Sequence, residues 1–109
     1  MDFSDIGHTL FTVQPYQNVP GCMVQQPSPQ GPLVDSTSNI LFHETTETIT
    51  DPDGDAWLNL NDLVMYGSEI ADECEQAAFS YPSVLVFNTE YAIQGDYSNA
   101  SHRCSYSPF

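Results

Sequence analysis

A chain of 109 residues has room for one domain with a modest core. Its charge is lopsided: 15 acidic side chains face one basic one, Arg103, for a formal net charge of -14. Without clustered lysine or arginine it cannot grip a phosphate backbone or an anionic bilayer, which excludes nucleic acid and membrane as partners and leaves metal cations and basic peptides.

In chain order, Met1-Asp2-Phe3-Ser4-Asp5 lacks the basic start and apolar block of a signal peptide. Leu10–Gln14 reads as an extended piece, and Pro15 to Pro32, holding Cys22, as a long loop broken by proline and glycine. Asp35-Ser36-Thr37-Ser38 offers several N-caps for a helix over Ile40–Glu47, which Asp51-Pro52 ends because the residue before proline avoids the helical region. Ile40, His43 and Glu47 share one stripe of it, with Leu41 and Phe42 beside them. The threonines are poor helix formers, so tertiary packing has to hold it. Beyond the Asp53-Gly54-Asp55 turn, Gly67–Cys74 reads as a turn or a single helical turn. Ser83–Phe87 and Tyr91–Gln94 form a hairpin around Asn88-Thr89-Glu90. No run is long enough to span a bilayer. The fold class expected is α+β: a single small domain, residues 1–109, with a zincin-like helix, a β-hairpin and long loops. Residues 1–32 are the extended, proline-rich part and 33–109 the helix and hairpin region.

The chemistry centres on His43-Glu44-Thr45-Thr46-Glu47. Side chains four apart on a helix project from one face, as the two ligands of a zincin helix do. His43 and Glu47 are then metal ligands, and Glu44 is the base that takes a proton from a metal-bound water. The carboxylate at Glu47, where the common motif has histidine, ligates at a similar distance but lowers Lewis acidity and admits harder ions. The third ligand is open among Glu69, Asp72 and His102. The bland alternative is a solvated helix face. Asp51, Asp53, Asp55, Asn59 and Asp62 occupy positions 1, 3, 5, 9 and 12 of a frame like an EF-hand loop. Gly54 is misplaced there and Pro52 intrudes, so the segment reads as a solvated turn, with loose calcium binding the lesser reading. Ser98, Ser101 and His102 match no nucleophile motif. His8 reads as a surface residue, and Trp57 with the tyrosines as core and loop anchors.

From His43 to Cys104 the chain resembles the exordium or phosphate-induced protein family and its bacterial and fungal secreted relatives. The resemblance rests on His43-Glu44, Glu47, Thr50-Asp51-Pro52, Ala56-Trp57, Glu69-Ile70-Ala71-Asp72-Glu73-Cys74, and Gln94 followed by Tyr97-Ser98-Asn99 and Cys104, in the family's order. Pro20-Gly21-Cys22 is similar to the segment just upstream. Phe42, Thr45, Thr48, Ala71 and Tyr97 depart from the family pattern, which has serine, leucine, alanine, glycine and tryptophan there. The resemblance implies an extracellular protein, the C-terminal part of a longer secreted precursor, with a zincin-like site. It implies Cys74 bonded to Cys104, with Cys22 free. Three cysteines and the sequon Asn99-Ala100-Ser101, a glycosylation acceptor, agree with an oxidising, secreted setting. Two functions follow: a metal-dependent hydrolase of peptides, with zinc the expected ion, or a non-catalytic extracellular protein with a structural or vestigial metal site.

Overall fold

One long helix organises the chain, and proline marks both ends of it. Pro32 opens α1 (Pro32–Thr50), its fixed φ suiting a first turn, after Gly31 at φ 93 redirects the backbone. At the other end Asp51 N–H donates to Glu47 O at 2.7 Å, and Pro52 prevents continuation. The computed structural model describes residues 2–5, 7–24, 28–75 and 83–106. Within them α2 (Asp72–Glu75) is a single turn, as expected, and six short strands form three antiparallel pairs, so the class is α+β. No helix among these residues is long and apolar enough to cross a membrane.

α1 starts earlier than the sequence suggests. Asp35, Ser36, Thr37 and Ser38, expected as caps, lie inside it. Asp35 serves elsewhere: its Oδ2 accepts from Ser28 Oγ at 2.7 Å and Gln30 N–H at 2.9 Å, and its Oδ1 from Ala92 N–H at 3.0 Å. The threonine hydroxyls of Thr37, Thr46, Thr48 and Thr50 donate to carbonyls four residues back, which satisfies them within the helix.

The face that α1 buries is polar. Asp35, Ser36, Asn39 and His43 are buried, whereas Leu33, Val34, Leu41 and Ile49 are exposed. Against this stripe run the end of β4 (Thr89–Ala92) and the chain leaving it. Asp35 holds Ala92 N–H, and Asn39 Oδ1 accepts Gln94 N–H at 2.6 Å. The match is metric: four helical residues rise about 6 Å, and two residues of strand advance about 6.6 Å. Successive turns of α1 therefore meet alternate residues of the strand. Ser36 Oγ likewise accepts Val24 N–H at 2.8 Å and ties the N-terminal segment to the helix.

β3 (Ser83–Val86) and β4 (Thr89–Ala92) form the expected hairpin, with the turn one residue earlier than anticipated, at Phe87-Asn88. Both turn residues have positive φ, 48 and 65, as a two-residue hairpin turn requires. β5 (Asp96–Ser98) pairs with β6 (Arg103–Ser105), and β1 (Asp2–Phe3) with β2 (Gly7–His8); neither pair was expected. The run Leu10–Gln14 joins no strand. A disulfide links Cys74 to Cys104 with a Cα–Cα distance of 5.6 Å, and Cys22 is a free, exposed thiol, both as expected. Tyr97 N–H donates to Ile70 O at 3.1 Å, so the β5–β6 pair is joined by backbone to the turn leading into α2 and by sulfur to α2 itself. Gly95 is required where the chain turns into β5, because a Cβ there would stand 2.7 Å from Ser105 O. The buried apolar residues among those described are few and small: Val24, Ala71, Cys74 and Ala92.

Candidate metal centre

His43 sits on the buried stripe of α1, and Glu47 lies one turn further along the same helix. α2 brings a third group. Nε2 of His43 lies 3.1 Å from Glu47 Oε1 and 3.4 Å from Asp72 Oδ1, and the three donor atoms all fall within 4.8 Å of one another. Donors about 2.0–2.2 Å from a tetrahedral zinc ion are about 3.3–3.6 Å apart, so the histidine-to-acid spacings are close to the edges of such a site.

Hydrogen bonding fixes which histidine nitrogen is offered. Gln94 Nε2 donates to Ala71 O at 2.9 Å, which turns Gln94 Oε1 towards His43 Nδ1 at 3.3 Å. An amide oxygen only accepts, so Nδ1 carries the proton. In the neutral ring Nε2 is therefore a lone pair facing two carboxylates. Asp72 is oriented too: its Oδ2 accepts Glu69 N–H at 3.1 Å, leaving Oδ1 for the histidine. Glu47 Oε1 is buried and, although 3.1 Å from Nε2, receives no well-directed hydrogen bond. Acceptors facing one another in this way need a positive charge between them. A proton serves in the metal-free protein: burial pulls the His43 pKa down, but Glu47, Gln94 and Asp72 outweigh it and lift it to about 9. A divalent cation meets the same need with better directionality, and the donor set fits one.

More negative charge surrounds the group. Glu69 is raised to about 7, first by burial and then by repulsion from Glu47, Asp51 and Asp72. Asp96 is raised above the usual carboxylate range, chiefly by burial, and its Oδ1 is buried with no hydrogen bond. Glu44, Glu47, Asp51 and Glu69 line one cleft of about 230 Å³, closed on another side by Leu10 and Phe11.

Of the third ligands expected from sequence, the structure brings Asp72 into the group. Glu69 is left outside it, in the cleft wall, with its backbone N–H donating to Asp72 Oδ2. His102 is exposed in the β5–β6 turn at φ 51 and also lies outside. Known protein families, characterised proteins and solved structures give no match to this chain. The acidic loop after α1 uses its carboxylates on its own backbone: Asp51 Oδ1 accepts Asp55 and Ala56 N–H, and Asp62 Oδ1 accepts Val64 and Met65 N–H. Among the described residues the loop supplies no group that converges as an EF-hand would. His8 is exposed, with Nε2 3.1 Å from Asp53 Oδ1, and Trp57 packs its ring 6.1 Å from that of Tyr97. Asn99 is exposed in the β5–β6 turn. Sequence reasoning missed Asn39 and Gln94 as supports and Asp96 as a neighbour. Only Gln94 carried a signal, as a member of one motif block.

Proposed function

We propose that the chain holds a divalent metal ion, zinc by its donor set, between His43, Glu47 and Asp72, and that this centre hydrolyses peptide bonds. The observation that carries the reading is the convergence of the locked Nε2 of His43 with the Glu47 and Asp72 carboxylates, three donor atoms within 4.8 Å of one another. When bound, such an ion supplies Lewis acidity towards a carbonyl and lowers the pKa of water. The chain's own residues do the rest. Gln94 holds the imidazole by Nδ1, and Glu69 N–H holds Asp72. Glu44, next to His43 and lining the same cleft as Glu47, is the residue assigned as the base that would accept a proton from water and return it to the leaving amine. Leu10 and Phe11 shield that cleft on one side.

The exordium-like blocks, the Cys74–Cys104 disulfide and the exposed Asn99 sequon support a secreted setting for this chemistry. A second reading is a structural ion. It is favoured by the position of the group, where α1, α2 and the chain around Gln94 meet. Glu44→Gln separates the two: it keeps the metal in both, and it abolishes cleavage of an unstructured peptide only in the first. Full cleavage by the Glu44→Gln protein would remove Glu44 as the base.

A further inference from the structure

A cavity of about 670 Å³ lies between the loop that follows α1, the single turn of α2 and the β5–β6 pair, and its lining includes none of the metal group. Trp57 and Tyr97 form its aromatic side, with ring centroids 6.1 Å apart and planes tilted by 54°. Asn61, Asp62 and Glu73 bring polar groups to the same space, and Asn99 stands at its rim. The volume falls in the range of about 300–1,000 Å³ typical of small-ligand sites.

The walls are braced by bonds within the chain. Asn59 Oδ1 accepts Asn61 and Asp62 N–H at 3.0 and 3.1 Å, and its Nδ2 donates to Glu73 Oε1 at 2.6 Å. The loop is thereby tied to α2, and the Cys74–Cys104 disulfide ties α2 to the strand pair that carries Tyr97. Other polar groups of the lining are still open. Trp57 Nε1–H and Glu73 Oε2 have no hydrogen-bond partner among the described residues, yet neither is sealed from solvent. The Asn61 amide is exposed and likewise unbonded.

This mix of groups selects a ligand class. Indole and amide N–H groups donate, and carboxylate and amide oxygens accept, side by side around two aromatic rings. An anion would be repelled by Asp62 and Glu73, and a wholly apolar guest would strand the open groups. A simple cation would meet donors as well as acceptors. Sugar hydroxyls both donate and accept, and a pyranose with equatorial hydroxyls has faces of C–H alone, which pack on an aromatic ring. We infer that this cavity binds a neutral, gluco-configured oligosaccharide, with one pyranose face on Trp57 and hydroxyls bonded to Asn61 and Glu73. The inference rests neither on the metal nor on hydrolysis.

Trp57 is the one tryptophan of the sequence, so intrinsic tryptophan fluorescence reports on this cavity. The test is titration of the full, disulfide-bonded chain with cellotriose and with sorbitol, an acyclic polyol that has no ring face. The protein is made in a host that leaves Asn99 unmodified, so that no attached sugar competes at the rim. Cellotriose should shift the emission saturably with a Kd of about 1 mM or tighter, unchanged by EDTA, and sorbitol should bind at least about tenfold more weakly. Asn61→Ala, whose side chain makes no bond in the fold, and Glu73→Gln, which keeps an oxygen for Asn59, should each weaken cellotriose binding several-fold. By calorimetry, Trp57→Leu should abolish it. Equal affinity for sorbitol, tighter binding of tetramethylammonium than of cellotriose, no saturation at millimolar cellotriose, or unchanged affinity in both the Asn61→Ala and Glu73→Gln proteins would overturn the inference.

Discussion

Gln94 decides what His43 can do. Its amide is oriented by Ala71 O, its backbone by Asn39, and its Oε1 fixes the imidazole tautomer. Supports of this kind typically change metal affinity by about 10–100-fold, and we expect that loss in Gln94→Leu, measured by competition with a chromogenic chelator. Unchanged affinity would mean that Nε2 needs no positioning. The acid–base state gives a second prediction, with a defined sign. His43 rises from 6.5 to about 9 in the folded, metal-free protein, so its stabilisation is complete below 6.5 and is lost as pH climbs through 9. Glu69 rises from 4.5 to about 7, so folding is penalised as pH passes through that window. Both slopes have the same sign, and the Tm of the metal-free protein should fall across this range. A metal ion displaces the Nε2 proton, so the rise in Tm on adding zinc should grow with pH over the same window. Thermal melts with EDTA and with zinc check both, and a metal-free Tm that climbs towards pH 9 would contradict the protonated His43.

At the scale of elements, α1 is held by a stripe that hydropathy cannot reveal. The pairing of His43 with Glu47 could be read from their spacing, and Asp51-Pro52 marked the end of the helix. The helix starts earlier than expected: Asp35 and its neighbours have the chemistry of caps, and only the folded chain shows that Asp35 bridges to Ala92 and Ser36 to Val24. Periodicity finds apolar stripes, and here the buried one is Asp35, Ser36, Asn39 and His43. Asp72 was legible as one of two downstream acids, beside His102, and choosing it over Glu69 required knowing which carboxylate the folded chain brings to His43 Nε2. The inversion is testable by comparing two substitutions on one helix. Asp35→Ala strands Ala92 N–H and Gln30 N–H at a fully buried site and should cost about 3 kcal/mol in denaturant unfolding. Leu41→Ala, at a side chain 50% exposed, should cost no more than about 0.5 kcal/mol. The reverse order would mean that α1 is held by an apolar face after all.

At the scale of the whole molecule, few apolar side chains are buried among the described residues, against a formal net charge of -14. Crosslinks and bound cations then carry more of the stability than in a chain with a larger core. The Cys74–Cys104 disulfide spans a sequence separation of 30, and opening it should cost about 3–4 kcal/mol by the loop-entropy relation. The Cys74→Ala/Cys104→Ala protein should therefore unfold at distinctly lower urea. That pairing was legible through motif resemblance, whereas the β5–β6 pair was not, because three-residue strands joined by an Asn-Ala-Ser-His turn carry almost no period. Cations should raise Tm specifically, zinc more than sodium at matched ionic strength. The most direct measurement is the metal content of the purified protein after zinc loading and desalting, by inductively coupled plasma mass spectrometry, beside its His43→Ala and Asp72→Ala variants. We expect about one equivalent in the parent chain and almost none in either variant; equal metal in all three, or none in the parent, would contradict a metal centre at His43, Glu47 and Asp72.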